Sequence, residues 1–568
     1  MNERLAGLVP QPVMVQPGTG ELTLGARPEV RPVGAGPEAI TIGAADAVRY
    51  LLGRLPWPDA TPAPGAAALC TVAVDDSLGA EAYRLRIEPD GIAITAGGAA
   101  GASYAAETIR QLLPDDAWRA APVPGQLLWQ LPCAQIDDEP ALAWRGAHID
   151  VARHFATKRE LLALIDALAA LKLNRLHLHL TDDQGWRIES RLHPALHEIG
   201  SHRPRSRISL GSEQPPVYDD IPHGGYYTLS DLAEIAAFAR LRGMELVPEI
   251  DLPGHSTALL AALPELGAGA PRPGGYQVSP DWGIFTNLLA PLPESMRVLR
   301  DIFGELIGAT AARHVHIGGD ECVLDRWRED PRVEAVRRDR GLASADDLHA
   351  TFLRDLADML ADDFGARAVV WDEGFTAAPG MLRQDTVVMA WRGMQVAQQA
   401  AAAGHDVVAA PVSPLYFDYY QERGAFEPVA IGGPVRLGDV AAFAPVPADW
   451  NDAERARLIG AQFQVWTEYV PDGRTLEYMI FPRACALAEV AWAGGPVPLD
   501  EESPARASLA SRIAVHLGRL DAAGIEYRPL TGPRPWQQGG TGPRRHRTGY
   551  QIDQVSAHLD ELAAGPAG

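Results

Sequence analysis

The sequence predicts an α/β chain. A (β/α)8 TIM barrel covers residues 141–495, a small α+β domain precedes it over 1–140, and a helical extension and tail follow over 496–568. Three observations predict it. Eight apolar, strand-like runs follow one another from Arg145, at 145–152, 174–181, 244–251, 314–319, 368–372, 386–392, 406–412 and 461–467. Amphipathic stretches separate most of them, which is the alternation of a (β/α)8 barrel. No G-x-G-x-x-G follows an early strand, which argues against an open doubly wound sheet.

Ahead of the barrel, 69–74 (LCTVAV), 83–88 (YRLRIE) and 91–96 (GIAITA) read as strands, with Pro89-Asp90-Gly91 as a turn. The stretch 100–113 has helical apolar spacing at Tyr104, Ile109, Leu112 and Leu113. Strands followed by a helix form an α+β pattern, and 136–140 (IDDEP) reads as the exit linker. In the barrel, Leu161, Leu164, Ile165, Leu168 and Leu171 share one helix face. Thr157 and Glu160 make a capping box at its start. Thr228 and Asp231 open the next helix, and Gly243 closes it. Segment 184–227 has no periodicity and reads as a long loop on the functional face. Residues 473–493 read as a last helix. Arg544, Arg545 and Arg547 lie in a Gly/Pro-rich tail and read as solvated or docked rather than as a nucleic-acid patch.

The 568 residues carry 50 basic and 73 acidic side chains, a net charge of −23. That charge repels polyanions, so binding to nucleic acid or an anionic membrane through bulk charge is excluded. Cys70, Cys133, Cys322 and Cys485 show no C-x-x-C spacing, which excludes a disulfide scaffold and a zinc ribbon. No run approaches the ~18 apolar residues of a membrane span. The opening MNERLAGLVPQPVMVQ, with Glu3 and Pro10, does not read as a signal peptide, so a cytoplasmic protein is the expectation.

In such a barrel, chemistry sits at the C-terminal strand ends. The eight runs end in Arg153-His154; Asp182-Asp183; Glu249, Asp251 and His255; Asp320-Glu321; Trp371-Asp372-Glu373; Trp391-Arg392; Tyr416 and Asp418; and Trp466 with Glu468. Stability alone asks for neither acids nor tryptophans there. In 314–321 (HVHIGGDE), neighbouring strand residues face opposite ways, so Asp320 and Glu321 reach one pocket only if the strand breaks. Gly318 and Gly319 allow that break. The same two acids would also suit the start of a helix; the company of the other strand ends favours chemistry. Trp371, Trp391, Trp466 and Tyr416 offer flat apolar walls for sugar C–H faces, and the acids offer partners for hydroxyls.

His177-x-His179 followed by Asp182 resembles, locally, the start of an amidohydrolase metal centre, with His255 and His316 as further candidates. No barrel strand ends in Lys, and the last ends in Glu468. No catalytic metal and no cofactor is therefore expected; the histidines are read as hydrogen-bonding within the barrel and orienting the acids. Cys322 reads as a buried structural thiol.

Taken together these blocks resemble glycoside hydrolase family 20, the β-N-acetylhexosaminidases. The resemblance runs in order through DVARHF (150–155), NRLHLHLTDDQGWR (174–187), VPEIDLPGH (247–255), HIGGDE (316–321), WDE (371–373), AWRG (390–393), Y-x-D (416–418) and WTE (466–468). It implies an exo-acting, retaining glycosidase that releases terminal β-linked GlcNAc or GalNAc from a glycoside or oligosaccharide. Catalysis in this family is substrate-assisted, which implies an oxazolinium intermediate. By resemblance Glu321 is the general acid/base, and Asp320, ionised, orients and polarises the 2-acetamido group. Tyr416 donates to the acetamido oxygen. Arg153 and Glu468 bind sugar hydroxyls, and Asp418 makes a further sugar contact. Trp371, Trp391 and Trp466 enclose the acetamido group and the sugar. Asp182 and His255 support the acid/base. Phe417 and Thr467 depart from the family blocks, and 419–435 has no obvious match to a tryptophan that some members place there. A metal-dependent amidohydrolase and a catalytically silent sugar-binding barrel are the alternatives, and intact Asp320, Glu321 and Tyr416 speak against the silent barrel.

Overall fold

The computed structural model describes residues 2–540, apart from 35, 59–67, 126–127, 210–213, 271–273, 425 and 501–506. The tail arginines 544, 545 and 547 lie outside the described residues.

Eight parallel strands close into a barrel, all within or beside the expected runs. In chain order they are Trp144–Asp150, Arg175–His179, Glu245–Glu249, His314–His316, Arg367–Trp371, Val387–Ala390, Val407–Ala409 and Leu458–Val465, and the last pairs with the first. Closure removes every sheet edge, so each strand is covered on both faces; Trp144–Asp150 is buried at all its positions. Side chains alternate along it. Ile149, Leu176, Leu178, Leu246, Val370 and Val388 face the helices in the main core. Trp144, Val247, Val369, Val387, Met389 and Val408 form a separate apolar cluster. The buried His148, His177, His179, Glu249 and His316 also alternate with those core residues. A barrel interior is ordinarily filled by branched aliphatics; polar side chains here lead toward the strand ends.

Both capping boxes form, at Thr157 with Glu160 and at Thr228 with Asp231. Gly243 adopts φ +74°, which suits it to end the second of these helices. The 473–493 stretch is two helices, Gly473–Ile480 and Arg483–Ala493. Pro482 has no N–H to continue the ladder, so the single expected helix breaks there. The start of the 184–227 loop pairs back on the chain just before it, Gly185–Trp186 with Thr181–Asp182, and a second small ladder within it pairs His202–Arg203 with His223–Gly224.

The N-terminal domain is a six-stranded sheet, Met14–Leu24, Trp129–Asp138, Tyr83–Glu88, Gly91–Ala96, Leu69–Val74 and Glu29–Pro32 in spatial order. Helices Glu38–Gly53 and Ala99–Leu112 accompany it. The supposed linker at 136–140 is in part this sheet: Ile136 is wholly buried and Asp138 ends the strand. Asp138 accepts from Tyr83 Oη, Lys172 Nζ and Trp492 Nε1, each at 2.7 Å, which ties the sheet to the barrel. Helix Leu509–Ala523 docks on the chain start, where Arg512 and Arg519 donate to the Leu8 and Gly7 carbonyls. Among the described residues, no helix is long and apolar enough to cross a membrane.

Candidate active site

The fourth strand ends at His316, and a glycine turn carries the chain to the acids. Gly318 has φ +69°, and a Cβ there would sit 1.6 Å from Asp251 Oδ1. Gly319 has φ +103° and donates its N–H to that same oxygen at 3.3 Å. Glu321 itself takes φ +49°. Successive left-handed residues turn the strand's alternation into a bend, so both acids reach one cavity. That cavity, about 220 Å³, is lined by Arg153, Asp182, His255, Asp320, Glu321, Trp371, Trp391, Tyr416, Asp418, Trp466 and Glu468. The eleven residues given catalytic or sugar-binding roles from the sequence therefore meet at the strand ends. A roomier cavity, about 320 Å³, lies at the domain seam against Arg54, Arg110 and Trp118 and collects no strand end.

On one side, Arg153 is fixed by Asp182 at 2.8 Å, by Gln184 at 3.0 Å and by Asp150 at 3.3 Å. Asp150 also accepts from the Thr467 N–H and hydroxyl, so it clamps the first strand end to the last. Burial would raise the Asp182 carboxyl, but Arg153 and His255 outweigh it and hold it far below the usual range. His255, at φ +48°, points Nδ1 at Asp182 and Asp183, both at 3.3 Å, and Nε2 at Glu321 Oε2, 3.4 Å away. Burial alone would strip its proton; Asp182, Asp183 and Glu321 hold it well above the usual histidine range.

Asp320 departs from expectation. Burial, then the nearby Asp251, push its carboxyl well above the usual range. That setting favours the neutral form of the carboxyl, against the ionised state expected from the sequence. Its Oδ1 is buried and has no hydrogen-bond partner among the described residues. Asp251 is raised to about 7, first by burial, with Glu249 adding to it against His255. Asp418 is raised by burial and by Glu468.

The aromatic wall is held from behind. Trp371 Nε1 donates to Glu249 at 2.9 Å, and Trp391 Nε1 to Glu373 at 2.7 Å. Trp466 lies under the Arg153 guanidinium, 5.0 Å from its ring centre. Ring centres of Tyr416 and Trp391 are 6.3 Å apart, and those of Tyr416 and Trp466 6.4 Å. Where no tryptophan matched, Tyr419 and Ile431 complete the wall. Asp150, Glu249, Asp251 and Ile284 also serve the site, although no role was assigned to them from the sequence. Asp251 sits inside the VPEIDLPGH block, two residues after Glu249, so its position carried the signal. Cys322 is half-buried rather than buried; its thiol donates to the Asp320 carbonyl at 3.2 Å and braces the acid turn.

Four trios bring ligand atoms close enough to share a cation: His148, His177 and Glu249; His179, Glu249 and Asp251; Asp182, Asp183 and His255; Asp251, His255 and Asp320. In the first three, an imidazole N–H is already engaged by a carboxylate of the same trio. A cation would have to displace those protons. His177, His179 and His316 all converge on Glu249, so these histidines serve the acids rather than forming an open metal mouth.

A (β/α)8 barrel with an adjacent Asp–Glu pair inside a ring of tryptophans defines a glycoside-cleaving enzyme. This chain belongs to glycosyl hydrolase family 20: the profile of the family's catalytic domain matches residues 142–495 and that of its domain 2 matches 6–139. It is 32% identical to a beta-N-acetylhexosaminidase of Cellulomonas fimi, over 92% of this chain and 95% of the relative. It is 35% identical to a beta-hexosaminidase of Porphyromonas gingivalis, over 81% of this chain but only 56% of that longer relative. Its fold is similar to the exo beta-N-acetylglucosaminidase of Vibrio harveyi, solved with N-acetylglucosamine, with a TM-score of 0.77 and 29% identity, covering 92% of this chain and 78% of that one. The family 20 beta-N-acetylhexosaminidase of Streptomyces coelicolor gives a TM-score of 0.71 and 27% identity, with 93% and 99% covered.

Proposed function

We propose that this protein is an exo-acting, retaining β-N-acetylhexosaminidase that releases a terminal β-linked GlcNAc or GalNAc by substrate assistance. One observation carries the reading: the buried, unpartnered Oδ1 of Asp320 beside Glu321, in a small cavity walled by tryptophans. A buried acceptor left bare is costly unless a ligand donor meets it. The N–H of a 2-acetamido group is such a donor.

The steps follow from that contact. Asp320 accepts the amide N–H, and Tyr416 donates its hydroxyl to the amide oxygen. The oxygen is thereby aimed at C1 and attacks it as the C1–O bond to the leaving group breaks. Glu321 gives its proton to the departing oxygen. The oxazolinium ion so formed carries positive charge at the N–H that Asp320 accepts, and the Asp320 carboxylate stabilises that charge. Water then adds at C1, losing a proton to Glu321, and the ring opens to the acetamide with retained configuration. Holding the internal nucleophile in place makes the attack unimolecular, worth up to about 7–11 kcal/mol of barrier in well-oriented cases. Arg153, Glu468 and Asp418 line the same cavity and bind the hydroxyls of the terminal sugar.

A panel of β-linked nitrophenyl sugars tests this. The N-acetylglucosaminide or N-acetylgalactosaminide should turn over, and a thiazoline mimic of the cyclised intermediate should inhibit. Rapid hydrolysis of the plain β-glucoside, which has no acetamido oxygen, would overturn the assisted mechanism.

A further inference from the structure

Glu249 lies where both halves of the pocket are anchored. Its carboxylate is wholly shielded from solvent. Oε1 accepts from Trp371 Nε1 at 2.9 Å, and His316 Nδ1 lies 2.8 Å from it. Oε2 faces His179 Nδ1 at 2.6 Å and accepts from His177 Nε2 at 3.1 Å, with His148 4.0 Å away. The contacts then continue outward. His179 Nε2 is 2.8 Å from Asp182 Oδ2. Asp182 Oδ1 is 3.3 Å from His255 Nδ1, and His255 Nε2 is 3.4 Å from Glu321 Oε2, with Asp320 Oδ2 4.0 Å away. Asp182 Oδ2 also meets Arg153 at 2.8 Å.

The geometry dictates protonation. A neutral imidazole has one N–H and one lone pair, so it cannot donate to two carboxylates at once. His179 has a carboxylate at each nitrogen and is therefore an imidazolium. Charges alternate along the chain: Glu249 negative, His179 positive, Asp182 negative, His255 positive, then Glu321. Glu249 is held far below the usual range because His316, His179 and His177 outweigh its burial. Burial opposes the His179 charge, and Glu249 and Asp182 outweigh it. His177 falls to about 4 by burial and stays neutral, with Gln462 donating to its Nδ1.

We propose that Glu249 and His179 are positioning residues for the proton-transfer step: through Asp182 and His255 they fix the aim and the electrostatic setting of Glu321, one strand end away from the sugar. The inference rests on Glu321 being the acid/base and extends its support two residues deeper, to the centre of the barrel. Neither residue lines the cavity, so neither acts on substrate directly.

Glu249→Gln is the test. The amide keeps an oxygen for Trp371 and can offer its NH2 to His179, so shape is preserved while the charge alternation is lost. Turnover of chitobiose, whose leaving group needs a proton, should fall about tenfold or more, the scale on which supporting partners of a site act. Turnover of the dinitrophenyl N-acetylglucosaminide, whose leaving group needs none, should fall less than about threefold by the same reasoning. In a Glu321→Gln background, adding Glu249→Gln should cost nothing further on chitobiose, because residues acting as one unit are not additive. Equal losses on the two substrates, or a full further loss in that background, would mean a merely structural role and overturn the inference. His179→Asn is read by the same split if Glu249→Gln does not fold. Should the wild type itself show no such split against Glu321→Gln, the reading of Glu321 fails instead.

Discussion

His255 and Glu321 face each other across the strand ends from two left-handed backbone positions, φ +48° and +49°, with Nε2 3.4 Å from Oε2. Neither residue is glycine, so each conformation costs on the order of 1–3 kcal/mol and persists only where its surroundings over-determine it. Here they do: Asp182 and Asp183 hold the imidazole, and the Gly318–Gly319 turn delivers the glutamate. The outcome is a cation placed beside Glu321, the proton donor of the proposed mechanism.

From this pair comes the first expectation. Glu321→Gln keeps the shape but cannot give or take a proton. Turnover of chitobiose should fall about 10²–10⁴-fold, the usual worth of a positioned acid. The dinitrophenyl N-acetylglucosaminide should lose far less in its first step. Steady-state rates on both substrates decide it, and matching losses would remove Glu321 from the acid role.

Asp320 makes the opposite demand. In the proposed mechanism it meets the acetamido group, whose charge develops whatever the leaving group is. Asp320→Asn should therefore cost on the order of 10²–10³-fold on good and poor leaving groups alike, as for other lost stabilisers of developing charge. Near-normal kcat with either substrate would refute the contact inferred from its bare Oδ1.

The barrel was legible because parallel strands buried on both faces read as short apolar runs, and eight such runs alternated with helices. The strand-end residues were legible by type and place, and the cavity gathers the eleven that were assigned a role, while others such as Glu249 and Glu373 stand behind its wall. Three things were not. Pro482 splits the last helix, a local veto that apolar periodicity alone hides. Ile136–Asp138 looked like an acidic linker, but Asp138 is polar because it bonds across to Lys172 and Trp492, partners far apart in sequence. The upward push on the Asp320 carboxyl comes from burial and from Asp251, which only the folded chain brings near.

Gly318 offers a steric test of the acid turn. A Cβ would lie 1.6 Å from Asp251 Oδ1, and φ is +69°. Gly318→Ala must displace Asp251 or straighten the turn, at a cost of about 1–3 kcal/mol for the overpacking alone. The variant should melt earlier and lose most of its kcat/KM, since the turn aims both acids. A variant with normal melting and normal rates would show that the turn tolerates another path.

Asp251 supplies the pH dependence. Its carboxyl is raised to about 7, by burial first and Glu249 next, against about 3.9 in an unfolded chain. A raised native value means the folded state binds the proton more tightly, so this contribution to stability is full below about pH 4 and is lost as pH rises through about 7. Asp251→Asn removes the titration and keeps an oxygen for the Gly319 N–H. At pH 5 the wild-type side chain is neutral, like asparagine, and the two proteins should melt similarly apart from a constant offset. At pH 8 the wild type carries a buried anion beside Glu249, and the variant carries none. The melting difference, variant minus wild type, should therefore rise between pH 5 and pH 8, by about 1 °C or more for each kcal/mol relieved. Paired melts at the two pH values measure it. A difference that stays flat or falls would mean Asp251 is already ionised at pH 5, and the carboxyl pair it forms with Asp320 would then have to share its charge in some other way.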